Sequence, residues 1–208
     1  MKMPPPDNTI LSRRETIAES LREIVGEAHV MDDEASLKAY ETDALSAYRQ
    51  TPMLVVLPGD TAEVSRVLAF CKREGVKIVP RGAGTGLSGG ALPLEDGITL
   101  GFGRFNRILE IDYANRVAVV QPGVANLTIS QQMDAAGFYY APDPSSQIAC
   151  SIGGNVAENS GGVHCLKYGL TTNNLLGVEM VMMDGEILRI CLLYTSDAAD
   201  EGLGVDLG

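Results

Sequence analysis

Residues 53–91 read MLVVLPGDTAEVSRVLAFCKREGVKIVPRGAGTGLSGGA. MLVVLP (53–58) is a short apolar run of strand type. Thr61 is the expected N-cap of a helix whose apolar face is Val64, Val67 and Leu68, and VKIVP (76–80) is a second strand. The three make a βαβ unit, right-handed by the general rule for such connections. Its second strand delivers the chain into PRGAGTGLSGGA (80–91), where five of the nine residues from 82 to 90 are glycine. Something there needs bare backbone.

Outward from this unit, Pro4, Pro5 and Pro6 stiffen a short leader. Ile10, Ile17, Leu21, Ile24 and Val25 then recur at near-helical spacing until Gly26, which predicts an amphipathic helix from Thr9. A short helix is expected over residues 33–40, with ETDALSAYRQTP leading into the first strand. Downstream, ITLGF (98–102) reads as a strand, and RILEID and RVAVVQP as a hairpin joined by Tyr113, Ala114 and Asn115. Asn126 or Thr128 is expected to cap a helix ending near Gly137. LLGVEMVMM and EILRI flank Asp184-Gly185, a dipeptide that favours a type I′ hairpin turn. No internal repeat is evident.

The 208 residues are 45% apolar and 21% charged, the composition of a packed domain. A net charge of −11, with scattered Lys and Arg, argues against an electrostatic nucleic-acid binder. No apolar run is long enough to span a bilayer and MKMPPPDN lacks a secretory signal, so the chain reads as intracellular. Cys71, Cys150, Cys165 and Cys191 form no C-x-x-C pair and no zinc spacing with His29 or His164, so they read as buried free thiols and no metal is expected. Residues 191–208, CLLYTSDAADEGLGVDLG, have no clear period and resemble sequencing read-through; they carry four of the acidic residues and no Lys or Arg. They are expected to be a non-native tail, with the natural chain cut near Ile190.

Glycine permits positive φ and close approach, and successive backbone amides in such a loop can curl into an anion-binding nest. Gly84, Gly86 and Gly89 form a literal G-x-G-x-x-G. A Rossmann turn requires a helix to open directly afterwards, yet Pro93, Gly97 and strand-like ITLGF follow. A Walker loop is excluded because no Gly-Lys-Ser/Thr occurs. A second small-residue loop, PDPSSQIACSIGGNVAENSGG (142–162), surrounds Gly153, Gly154, Gly161 and Gly162 with Ser145, Ser146, Ser151, Asn155 and Asn159. There Ile152, Gly153 and Gly154 suit a helix N-terminus approaching an anion. Two such loops in one α+β domain suggest a long ligand held at both ends, such as a dinucleotide.

PRGAGTGLSGGALP, VQPGV, YYAPDPSSQIACSIGGNVAENSGGVHCLKYGLT and DGEIL, in that order, resemble the flavin-linked oxidase family of the p-cresol methylhydroxylase and vanillyl-alcohol oxidase type over residues 30–190. Within it the chain is similar to FAD-binding subunits of bacterial glycolate oxidases, with D-lactate and D-2-hydroxyglutarate dehydrogenases alongside. The resemblance implies an α+β, two-lobed FAD-binding domain, truncated before the cap domain. Residues 1–50 form a helical leader, 51–190 the FAD-binding domain and 191–208 the tail.

By that resemblance the first loop, Pro80, Arg81, Gly82, Ala83, Gly84, Thr85, Gly86, Leu87, Ser88, Gly89 and Gly90, wraps the FAD diphosphate with backbone amides. Arg81 either adds charge or is a solvated strand-end residue. Pro122 and Gly123 of VQPGV belong to the same site. Pro142, Ser146, Ser151, Gly153, Gly154, Asn155 and Gly161 line the rest of the flavin, with Ile152, Asn159 and Gly162 counted in the same cofactor site. Ile187 contacts the adenine side. Some relatives attach FAD through a histidine in or near the first loop; Ala83 stands between the glycines here, so FAD is expected to be non-covalent.

His164, tempting as a catalytic base because imidazole is poised near neutral pH, is read instead as structural. The catalytic residues are left unassigned, since in the relatives the substrate is handled by a cap domain and later histidines. The implied reaction oxidises a small 2-hydroxy acid such as glycolate to the 2-oxo acid, with hydride passing to the flavin and electrons onward to an iron–sulfur partner subunit. The implied location is the cytoplasm, at the inner face of the membrane through a complex. A D-lactate or D-2-hydroxyglutarate dehydrogenase, or a non-catalytic nucleotide-binding module, are the other readings.

Overall fold

A computed structural model of the chain describes residues 3–191. The expectation for the tail lies, Cys191 apart, outside the described residues. Asp7 opens the first helix by accepting the amide of Thr9, giving α1 (Asn8–Leu11) and then α2 (Arg14–Val25). The single helix expected from Thr9 is therefore split at Ser12-Arg13, where Arg13 leaves helical geometry and ion-pairs with Glu74. Gly26, at φ +92°, ends α2 before β1 (Val30–Met31), and α3 (Glu34–Lys38) is capped by Asp33.

The central segment folds as β2 (Leu54–Val56), α4 (Thr61–Glu74), β3 (Lys77–Arg81) and β4 (Gly97–Gly101). The sheet runs in the order β1-β2-β4-β3, with β1 antiparallel and the other pairings parallel. The βαβ unit is present, but β4 slots between its two strands, so each pairs with β4 and not with the other. Strands buried on both faces become continuously apolar, and β2 and β4 are buried at every position. Pro80 is tolerated because β3 is the edge strand. Thr61 is the first helical residue and not the cap: Asp60 accepts the Glu63 amide at 2.8 Å. An aspartate one residue earlier satisfies the orphan donor, freeing the Thr61 hydroxyl to donate to Glu179.

One core joins Ile17, Leu21 and Val25 of α2, Val64, Val67 and Cys71 of α4, and Leu54, Val56, Ile98 and Leu100 of the sheet. The described part of the leader, residues 3–50, is thus built into this lobe, contributing a strand and a helix face.

The second lobe begins with a hairpin, β5 (Ile108–Asp112) and β6 (Val117–Val120), followed by α5 (Asn126–Met133), α6 (Ile152–Glu158) and α7 (Cys165–Tyr168). Its small core is Val124, Ile129 and Ile152, with Ile108, Val120 and Tyr140 packed on it. Neither Asn126 nor Thr128 caps α5; Ala125 holds the cap position without a side-chain bond. Asn126 is 1% exposed and donates instead to the Pro142 carbonyl at 2.9 Å, since a buried amide must find a partner.

The last hairpin, β7 (Gly177–Val181) and β8 (Ile187–Cys191), packs on α4, where the Ser65 hydroxyl donates to the Gly185 carbonyl. Its turn is not type I′: Gly185 has φ +90°, but Asp184 does not share the positive φ that type I′ requires. The Gly185 amide bonds the Met182 carbonyl at 2.9 Å, and the three-residue loop places the glycine alone in the left-handed region.

Candidate functional site

No helix opens after the first glycine loop; the chain runs irregularly to β4. The loop is tethered by its carbonyls. Ala44 donates to the Gly84 oxygen at 2.9 Å and Leu92 to the Gly89 oxygen at 3.2 Å. Among the described residues, no backbone amide from residue 82 to 91 donates a hydrogen bond. Ten consecutive donors are therefore available to one acceptor-rich guest. Gly84 and Gly89, at φ +70° and +78°, make the reversals that L side chains resist.

The two loops meet. A Cβ on Gly82 would collide with the Ser151 hydroxyl. At this junction lies a cleft of about 90 Å³ lined by Gly82, Ala83, Phe102, Gly103, Gly123, Ala149 and Ser151. It is too small for a dinucleotide but admits a phosphate-sized group where the free amides begin. A larger depression, about 540 Å³, lies elsewhere against Glu19, Arg22, Glu23 and Glu27, and its acidic lining disfavours an anion.

Ser151 caps α6, its hydroxyl accepting the Gly154 amide at 3.4 Å. The Ile152 and Gly153 amides donate at 2.8 Å to the Val124 and Pro122 carbonyls. The expectation that this helix N-terminus presents them to an anion is corrected: both donors are spent on holding α6 against the 122–124 turn. Asn155, one turn beyond Ser151 on the same face, is 2% exposed, and its Nδ2 has no partner within the protein.

Other predicted site residues have structural work. The Asn159 side-chain oxygen accepts from the amide and hydroxyl of Thr172, so it closes α6 instead of facing the cleft. Gly161 packs on Leu170, and Gly162 crosses the Asp143 carbonyl with no room for a Cβ. Pro142 is buried under the Asn126 amide. Ser146 uses its carbonyl to turn the second loop, accepting from Ala149 and Cys150 at 2.8 Å. Leu87, Ser88 and Gly90 are exposed, Leu87 at 72%, whereas Thr85 and Gly86 are half-buried, and a Cβ on Gly86 or Gly90 would meet the Glu158 carboxylate of α6. Ile187 belongs to the hairpin on α4 and does not line the cleft.

Arg81 is neither free nor merely solvated: it donates to the Thr42 carbonyl at 2.8 Å and lies 5.5 Å from the centre of the Tyr40 ring. Burial lowers its pKa, an effect opposed by nearby Asp43. These leader residues were missed, as were Phe102, Gly103 and Ala149; the only prior signal was the polar segment ETDALSAY directly before the first strand.

His164 Nδ1 lies 2.7 Å from Asp143 Oδ2. Burial opposes the charged form of Asp143, yet its hydrogen bonds with His164 outweigh this and hold its carboxyl below the usual range. Tyr139 and Tyr168 flank the imidazole, their rings edge to face at 6.1 Å.

A family model described as "FAD binding domain" matches residues 52–190. The chain belongs to the FAD binding domain family. It is 55% identical over 194 residues to glycolate oxidase subunit GlcD of Escherichia coli (strain K12), covering 93% of this chain and 38% of that protein. It is 35% identical to the mitochondrial D-2-hydroxyglutarate dehydrogenase of Arabidopsis thaliana, covering 80% of this chain and 30% of that one. The structure of p-cresol methylhydroxylase with substrate bound superposes with a TM-score of 0.74 at 18% identity, over 86% of this chain and 35% of that one. The α+β fold is thus of that type, and the chain spans less than two fifths of the relatives' length.

FAD is the cofactor of this FAD binding domain, and the residues present fit it. Unpaired amides at residues 82–91 suit a diphosphate, the Gly82–Ser151 junction needs the missing Cβ, and the orphaned Asn155 Nδ2 is a buried donor awaiting an acceptor. Among the described residues, no helix is long and apolar enough to cross a membrane.

Proposed function

We propose that the chain is the FAD-holding part of a dehydrogenase that oxidises a 2-hydroxy acid, glycolate in the first instance, to the 2-oxo acid. The observation that carries this reading is the unbroken run of free amides from residue 82 to 91, set against Ser151. FAD, when bound, supplies the two-electron acceptor chemistry. The chain's own share is to hold and orient. Amides of the first loop surround the diphosphate, Ser151 and Asn155 offer polar side chains along α6, and Ala83 leaves the attachment non-covalent. His164 keeps a structural role, held by Asp143.

The substrate class is supported by relatives named glycolate oxidase subunit and D-2-hydroxyglutarate dehydrogenase, and the latter keeps a longer hydroxy diacid as the second reading. The name "subunit" supports a partner protein, for which we infer an iron–sulfur electron carrier and a place at the inner face of the membrane through that complex. The test is the visible absorption spectrum of the chain after incubation with FAD and desalting. A retained, structured flavin band is expected; a colourless protein that is folded by circular dichroism overturns the reading.

A further inference from the structure

The base of the glycine loop is closed by a single side chain. Arg81 is the last residue of β3 and opens the loop. Its Nη1 donates to the Thr42 carbonyl at 2.8 Å and reaches within 3.5 Å of the Ala91 carbonyl, where the loop ends. Its guanidinium lies against Gly84, where a Cβ would collide with it, and over the Tyr40 ring. Beneath it, Asp43 is 6% exposed and accepts the Leu45 amide at 2.8 Å. The neighbouring Ala44 donates to Gly84, and Leu45 packs at Gly89. One planar cation thus touches the loop's entry, middle and exit, backed by residues 40–45. A guanidinium suits this because its fork of fixed donors can serve several acceptors while its face stacks on an aromatic ring.

We propose that Arg81 is a positioning residue that latches the neck of the glycine loop, together with Tyr40 and Thr42, so that the amides of residues 82–91 are pre-set for a diphosphate. The proposal rests on the FAD reading for its ligand, but the latch is a property of the protein alone. Pre-organisation of this kind raises affinity by removing the ordering cost from the binding step. The competing account is direct contact between the Arg81 charge and the diphosphate, and the two differ in what a lysine can replace. Lysine keeps the charge but cannot hold Thr42, Ala91 and the Tyr40 face at once.

The experiment compares Arg81→Lys and Tyr40→Ala with the wild type in the 208-residue chain. FAD and ADP affinities are measured over a range of salt, hydrogen exchange at the Ala44 and Leu92 amides reports the loop itself, and thermal midpoints check the fold. The latch requires that Arg81→Lys and Tyr40→Ala each weaken FAD and ADP about tenfold, the scale of one charge-assisted hydrogen bond for the first and of a desolvated cation–π contact for the second. It also requires faster exchange at Ala44 and Leu92, near-wild-type midpoints, and a salt dependence that Arg81→Lys leaves unchanged. Wild-type affinity in Arg81→Lys, or unaltered exchange in either variant, overturns it. If the wild type binds neither FAD nor ADP while both variants speed exchange, the latch stands and the cofactor reading fails.

Discussion

The Ser151 hydroxyl occupies the place that a Cβ on Gly82 would take. Through that contact the first glycine loop, carried by the parallel strand β3, rests on the cap of α6 in the second lobe, and the cleft opens beside it.

Gly82→Ala forces this junction apart. A loss of about 1–3 kcal/mol in urea unfolding is expected, the usual range for overpacking, with weakened FAD binding. Ser151→Ala alone removes a helix cap at a cost of about 1 kcal/mol. In the double variant the new methyl would meet only the residue 151 Cβ at 3.3 Å, so part of the loss is recovered. Strictly additive losses in the double-mutant cycle would sink the contact.

Asp143 makes stability sensitive to acid. Its carboxyl titrates below the ordinary value of 3.8 in the folded state, against burial, because His164 hydrogen-bonds it. A depressed folded pKa contributes stability that is present above pH 3.8 and is lost as pH falls through the folded value. Denaturant midpoints between neutral and acid pH should therefore drop more steeply below that point in the wild type than in Asp143→Asn. Parallel curves would show that the pair contributes nothing.

Thiol reactivity should be ordered by burial. The Cys71 thiol is fully buried in the first core and its pKa is pushed up to about 12, so it stays protonated and unreactive near neutral pH. Cys165 is only half-buried. Peptide mapping after alkylation of the native chain should find Cys165 modified well before Cys71, which reacts only on unfolding. Early modification of Cys71 would contradict the packing of α4 on the sheet.

The flavin should leave with acid. Residue 83, between the loop glycines, is alanine, and no histidine occurs from residue 80 to 91. Acid precipitation of the FAD-loaded chain is expected to leave the yellow colour in the supernatant. Colour in the pellet would reveal a covalent link and overturn the non-covalent assignment.

Local patterns made the strand–helix–strand unit, both hairpins and the two glycine loops readable before any coordinates, because side-chain period and turn chemistry act over a few residues. The missing helix after Gly89 was readable for the same reason, from Pro93 and Gly97. The break at Ser12-Arg13, the Asp60 cap and the inward turn of Asn126 were not. Each depends on a partner distant in sequence or on a choice between near-equivalent polar residues.

Sequence alone, then, determined which backbone is bare and raised the expectation of a bound diphosphate. Tertiary structure decided which amides are free. It spent those of Ile152 and Gly153 on the 122–124 turn while leaving residues 82–91 unpaired, and it inserted β4 between β2 and β3. It also drew Tyr40 and Thr42 under Arg81. The physical reason is that a backbone donor's availability depends on every acceptor the fold brings within 3 Å or so, and long-range packing sets that inventory.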